Sequence, residues 1–248
     1  MRGRQYMANA ITWGGVTSTS LSIVVEKAKE LGRPARKVQR YSVPGRNGDI
    51  IIQEDAWENY EQKYDVWAGE GTYGSAASDF TAISSWLNGT NGYQELSDDE
   101  EPGYFRLAQF IGPLDIDNVL TKFGRATISF DCRPERFLTS GKTVSTFTAD
   151  GDITNPTVFS AKPIIRVEGD GSSGTVTVGD VTFSLVLTED PLIIDCETMM
   201  VRDDNGVIRN GYYSQEDYAF PVLSSGTNEV SFTGGVNKVE ITPRWFVI

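Results

Sequence analysis

The 248-residue sequence contains no histidine. That excludes histidine-activated nucleophiles, histidine-ligated zinc, HExxH hydrolysis and imidazole proton shuttling together. Catalysis would have to rest on paired carboxylates, a lysine base or a borrowed cofactor, and no motif singles these out. Only two cysteines occur, Cys132 and Cys196, each ending an apolar, strand-like run. Two buried reduced thiols fit that setting better than a disulfide. Long apolar runs are missing as well: nothing approaches the roughly 18 to 20 residues of a membrane span, and no charged-then-apolar leader opens the chain. The expectation is a soluble protein made in a cytoplasm. Positive charge is also short, with 22 Lys and Arg against 34 Asp and Glu and a net charge of -12. Counterion-release binding to phosphate backbones is therefore disfavoured for the chain as a whole.

What the chain does have is glycine, 25 residues of it, and many short β-branched segments separated by turns. At about 150 residues per domain the length allows one domain or two. Met1 to Met7 carry no pattern and read as a disordered lead, with Met1 and Met7 both open as the start. Leu21 to Val25 reads as a strand. Tyr41-Ser42-Val43 and Ile50-Ile51-Ile52 read as antiparallel strands joined at Asn47-Gly48, a pair suited to the positive φ angles of a tight hairpin turn. Glu26 to Arg40 holds Lys27, Lys29, Arg33, Arg36, Lys37 and Arg40 and reads as an extended or partly helical excursion, the one locally basic stretch.

The spacing of Phe80, Ile83, Trp86 and Leu87 predicts an amphipathic helix over 78–88, capped by Ser78 or Asp79 and ended by Asn88-Gly89. Leu114, Ile116 and Leu120, and then Ile128, Phe130 and Cys132, alternate with largely polar neighbours as strands do. The stretch from about Phe137 to Pro156 is rich in Thr, Ser, Gly and Asp and reads as a linker, placed at 141–156 between a domain over 1–140 and another over 157–248. Beyond it, short β segments at 163–167, 175–178, 181–187, 192–194, 229–232 and 236–241 recur with the turn spacing of an antiparallel sandwich.

Several motifs resolve to plain readings. Gly169-Asp170-Gly171-Ser172-Ser173-Gly174 matches GxGxxG, but a strand follows where a phosphate cradle needs a helix N-terminus, so it reads as a hairpin loop. Asp115-Ile116-Asp117-Asn118 lacks the glycine and distal glutamate of a calcium loop. Asp98 to Glu101, four acids before Pro102-Gly103, read as a solvated turn and not as a paired-carboxylate centre. Asn88-Gly89-Thr90 fits a glycosylation sequon that has no consequence without a secretory route. Trp13, Trp57, Trp67, Trp86 and Trp245 read mostly as core aromatics. No metal or cofactor site emerges.

In order along the chain, Val43-Pro44-Gly45-Arg46-Asn47-Gly48, Trp86-Leu87 with Tyr93, Tyr104-Phe105-Arg106 and Ile128-Ser129-Phe130-Asp131-Cys132-Arg133-Pro134 form an unusual series. Ile194-Asp195-Cys196-Glu197, Phe220-Pro221-Val222-Leu223, Gly226-Thr227-Asn228 and Thr242-Pro243-Arg244-Trp245 continue it. This ordered set, over about residues 8 to 248, resembles the distal tail proteins of long-tailed, non-contractile bacteriophages. Each position also has a physical expectation of its own. Phe130 and Cys132 face a core, Asp195 and Glu197 stay solvated at a strand end, Phe220 enters the second core, Asn228 suits a turn, and Arg244 stacks or bonds beside Trp245.

The resemblance implies a mainly β protein, with a tail-tube-like N-terminal β-sandwich or barrel carrying one α-helix and a galectin-like antiparallel C-terminal β-sandwich. It implies a virion structural protein at the distal end of the tail, made in the host bacterial cytoplasm, non-catalytic and without cofactors. Its expected partners are five further copies in a homohexameric ring, the tail tube protein, the tail-associated hub protein, and receptor-binding or tape measure proteins. Neither a membrane nor sequence-specific nucleic acid is expected. The cations from Lys27 to Arg40 are the expected ring contacts. A carbohydrate-binding adhesin using the C-terminal sandwich is the competing expectation.

Overall fold

The computed structural model describes residues 9–30, 32–68, 75–112, 116–120 and 123–248. Met1, Met7, Leu114 and Asp115 lie outside them. Two compact units divide the chain, one running to Arg136 together with Ile248, the other covering Phe137–Val247.

The first unit contains β1 (Ile11–Trp13), β2 (Val16–Thr17), β3 (Ile23–Glu30), β4 (Arg36–Tyr41), β5 (Ile50–Trp57), β6 (Tyr60–Ala68), α1 (Ser75–Asn88), β7 (Gln94–Asp98), β8 (Tyr104–Phe110) and β9 (Ile116–Leu120). β10 (Phe123–Leu138) crosses the unit boundary. The main sheet runs in the order β2-β1-β7-β8-β10-β6-β3, with β9 also on β10, while β4 and β5 form a separate two-stranded sheet. Strict alternation along β10 makes its face apolar. Ala126, Ile128, Phe130 and Cys132 are buried while Thr127, Ser129 and Asp131 point away. Phe130 lies 5.5 Å from the Trp13 ring and 6.2 Å from Tyr64, so one phenyl joins two other strands of the sheet.

Among the described residues α1 is the single α-helix. It starts at Ser75, three residues before the sequence signal, so Ser78 and Asp79 lie inside its first turns and do not cap it. The side chains of 75–80, Phe80 included, lie outside the description. Ile83, Trp86 and Leu87 bury the helix face, and the Gly89 amide donates to the Ser85 carbonyl at 2.9 Å where the helix ends.

The second unit contains β11 (Ser145–Phe147), β12 (Gly151–Asn155), β13 (Ile164–Val178), β14 (Val181–Val186), β15 (Leu192–Asp195), β16 (Met200–Asp203), β17 (Tyr213–Ser214), β18 (Gly226–Thr242) and β19 (Phe246–Val247). Segments expected as separate short strands are fused here. β13 joins 163–167 to 175–178, and β18 joins 229–232 to 236–241. The first half of β13 pairs with β15 and the second half of β18, as in Ile165↔Ile194 and Ile165↔Ile241. Its second half pairs with β14 and the first half of β18, as in Val176↔Phe183 and Val176↔Phe232. Two layers result, β16-β15-β13-β18-β11 and β17-β14-β13-β18-β12, both feeding one core of Ile165, Val176, Phe183, Val230, Val239 and Ile241.

The change of layer explains the glycine motif. Gly169 pairs with Val236 and Gly174 with Gly234, so 170–173 bulge out of a continuous strand; the segment is not a hairpin loop. A Cβ on Gly174 would lie 2.5 Å from Val236 Cγ2 and 2.9 Å from the Thr233 carbonyl oxygen, so only glycine lets the two strands cross this closely. The expected linker is also replaced by structure. Within 141–156, β11 and β12 pair with β18 as part of the second unit, whose start lies at Phe137.

Candidate functional site

The most unusual feature of the first unit is the hairpin formed by β4 and β5. Among the described residues of the 26–40 stretch, 26–30 belong to β3 and 36–40 to β4, and none is helical. The strands pair at Tyr41↔Ile50, Arg40↔Ile51 and Gln39↔Ile52. They are closed by an eight-residue loop and not by a two-residue turn at Asn47-Gly48. Pro44-Gly45 supplies the bend: Gly45 has φ +80° and the Arg46 amide donates to the Val43 carbonyl at 3.1 Å, the pattern of a type II turn. Gly48 is the second left-handed position, while Asn47 keeps negative φ.

Strand pairing puts Tyr41, Ile50 and Ile52 on one face and Ile51 with Val38 on the other. Tyr41, Ile50, Ile51 and Ile52 are 39 to 54% exposed, and Val43 in the loop is 38% exposed. An isolated two-stranded sheet is marginal in water. This one carries half-exposed apolar side chains on both faces.

The root of the hairpin is held firmly. The Gly32 amide donates to the Gln62 side-chain oxygen at 3.0 Å, and Gln62 itself is fully buried. The Glu58 amide donates to the Ala35 carbonyl at 2.9 Å, and the Arg36 guanidinium sits 4.5 Å from the centre of the Trp57 ring. Arg33 donates to Glu101 Oε1 at 2.8 Å, which commits that cation internally. Of the other expected ring cations, Arg36, Lys37 and Arg40 are exposed on β4. Lys27 and Lys29 lie in β3, their side chains outside the description.

Glu101 leads into a buried charge network. Its Oε1 also accepts from Arg136 at 2.8 Å, and its Oε2 accepts from Arg106. Arg106 is fully buried and donates to Asp98 Oδ2 at 3.0 Å and to the Tyr60 hydroxyl at 2.9 Å; the Tyr64 hydroxyl donates to the same Asp98 oxygen at 2.7 Å. The acidic turn is therefore not simply solvated: Asp98 and Glu101 point inward as counter-charges for Arg106. Burial opposes the Arg106 charge, but Tyr60, Tyr64, Asp98 and Glu101 outweigh it and keep the guanidinium ionised. Removing one partner from such a buried set costs about 3 to 5 kcal/mol. Burial pushes the Tyr60 and Tyr64 phenols up and the Cys132 thiol to about 12, so none of the three is a reactive base near neutrality.

The remaining sequence positions serve structural roles in their own units. Trp86, Phe130 and Cys132 are core residues, and Pro134 lies in β10. Asp195 is not left solvated: its Oδ1 accepts from Arg244 at 2.9 Å, and Arg244 Nε donates to the Lys162 carbonyl at 2.7 Å. Burial pushes Asp195 up, but the Glu197 amide and the Arg244 charge outweigh it and leave its pKa below the ordinary value. Arg244 thus reaches away from its neighbour Trp245, which is buried beside Pro243. Phe220 stacks on Tyr213 at 4.6 Å, next to buried Pro221. Asn228 lies within β18, where its side chain bonds Ser224 and the carbonyl of Gly226, the left-handed first residue of that strand. Cys196 is buried and raised to about 12.

Among the described residues no group of histidine, cysteine or carboxylate side chains is arranged to hold a metal, and no helix is long and apolar enough to cross a membrane. No family profile and no curated protein matches the sequence. Solved structures do match. The Dit protein of phage SPP1, described as a paradigm of the hub adsorption apparatus of phages infecting Gram-positive bacteria, superposes with a TM-score of 0.72. The match is 13% identical and covers 97% of this chain and 99% of that one. The chain has the distal tail protein fold. A chain of the phage p2 baseplate in its activated conformation also matches, with TM-score 0.51, 7% identity and coverage of 94% and 97%. The distal tail fold thus accounts for both units and not for one alone.

Proposed function

We propose that this chain is a structural protein of a phage tail tip, a distal tail connector that closes into a homohexameric ring. The ring joins the end of the tail tube to the tip hub and leaves a lumen through which DNA passes. The observation that carries this reading is the near end-to-end fold match to the SPP1 hub protein over both units. The chemistry agrees with it: buried Tyr60, Tyr64 and Asp98 are spent on one another around Arg106, and the net charge of -12 favours DNA sliding past over DNA held. A closed ring is a heterologous assembly, so each copy must present two different complementary faces.

Negative-stain imaging with solution mass measurement tests the reading. Six-fold rings with a central hole are the expected result, and a protein that stays monomeric to high concentration overturns it. Duplex DNA titrated across a salt series should show no tight binding; a steep salt-dependent affinity would contradict the proposed lumen.

A further inference from the structure

Five of the eleven asparagines are followed by glycine: Asn47-Gly48, Asn88-Gly89, Asn91-Gly92, Asn205-Gly206 and Asn210-Gly211. Such pairs carry a reaction of their own, because glycine has no Cβ to shield its amide nitrogen from the preceding side chain. That nitrogen attacks the asparagine Cγ, the Cγ–Nδ2 bond breaks, and the displaced nitrogen leaves as ammonia with the amide proton, closing a five-membered succinimide. Water then opens the ring at either carbonyl and leaves aspartate or isoaspartate, the latter with the main chain routed through Cβ. We infer that Asn47 and Asn91 are sites of this spontaneous deamidation and that the fold locks the other three pairs against it. The reaction needs water alone and no partner.

Exposure does not separate the five pairs, since every residue in them is exposed. Hydrogen bonding does. At Asn88 the side-chain Nδ2 donates to the Ser84 carbonyl at 3.0 Å, while the Gly89 amide donates to the Ser85 carbonyl at 2.9 Å. Electrophile and nucleophile are both held, and the nucleophile is turned back into the last turn of α1. Asn205 repeats the arrangement: its Nδ2 donates to Asp190 Oδ2 at 3.2 Å, and the Gly206 amide donates to the Asp203 carbonyl at 2.9 Å. At Asn210 the side-chain Oδ1 accepts from the Val201 amide at 2.7 Å, and Gly211 is fixed inside a short 3-10 helix, Asn210–Tyr212. Asn47 and Asn91 differ on both counts. Among the described residues neither side chain makes a hydrogen bond, and neither the Gly48 nor the Gly92 amide donates one. Nothing lies within 4 Å of where a Cβ on Gly48 or Gly92 would sit, which leaves the succinimide room to close.

The test incubates the purified protein under mildly alkaline conditions, folded and in denaturing urea in parallel, and follows each pair by peptide mass spectrometry. In the folded protein Asn47 and Asn91 should convert at least about tenfold faster than Asn88, Asn205 and Asn210, the factor expected when one or two hydrogen bonds must break before attack. In urea the locks are gone and the five rates should converge. Conversion at both sites takes the net charge from -12 to -14, one unit per site, so isoelectric focusing of the folded protein should show two new acidic bands. Asn47→Gln with Asn91→Gln should abolish them, because glutamine would need a slower six-membered closure. A locked pair that converts in the folded protein as fast as Asn47 and Asn91 overturns the proposal. So does a folded protein in which Asn47 and Asn91 stay intact, or a spread of rates that persists unchanged in urea.

Discussion

Two strands with nearly the same local composition end in opposite environments. β5 opens with Ile50-Ile51-Ile52, all at least 39% exposed, while β13 opens with Ile164-Ile165-Arg166-Val167, where Ile165 and Val167 are at most 1% exposed. β-branched residues make both segments extended. Burial is decided by neighbours: β13 is paired on both edges by β15 and β18, whereas among the described residues β5 pairs with β4 alone. Strand propensity thus specifies the backbone, and what packs against the strand specifies its burial.

The largest break of this comparison is a matched pair of truncations. Ile165→Ala should cost about 2 to 5 kcal/mol in denaturant unfolding, as core cavities do. Ile51→Ala should stay within about 0.5 kcal/mol for the monomer; similar losses at the two sites would erase the contrast. A smaller effect is expected at glycines. Gly174→Ala forces a methyl into Val236 at the strand crossing and should destabilise by about 1 to 3 kcal/mol. Gly48→Ala meets open space and carries only the left-handed backbone penalty of about 1 to 2 kcal/mol. The smallest contrast is in pH. Because the folded pKa of Asp195 is depressed, its contribution is present above the ordinary value of 3.8 and is lost as pH falls through the lower folded value. Asp195→Asn should therefore melt below wild type at pH 6, and the gap should close below pH 3.8; a gap independent of pH would assign the loss to packing.

Periodicity made β10, the α1 face and the β-rich second unit legible, because those signals lie within a few residues of one another. The errors share a different cause. Asp98 and Glu101 turn inward for Arg106, Arg33 and Arg136, and the last two lie far away in sequence. β11 and β12 look like a linker because each pairs at the outer edge of β18 and needs few apolar side chains. The bulge at 169–174 depends on a strand crossing more than 60 residues downstream. The hairpin cations are visible locally, but the exposure of Ile50-Ile51-Ile52 on the paired strand emerges only from the structure.

The exchange of β13 and β18 between layers also has a kinetic consequence. The two strands are separated by 47 residues, Gly179 to Ser225, and each layer of the sandwich is completed by opposite halves of the same pair. Neither layer can be finished while the other is still open. Folding of this unit must wait for one long loop closure, which places it among slow, high-contact-order topologies with rates on the millisecond-to-second scale. Once that closure occurs, registration of both layers follows from a single event, and a half-built sandwich has no stable form in which to accumulate.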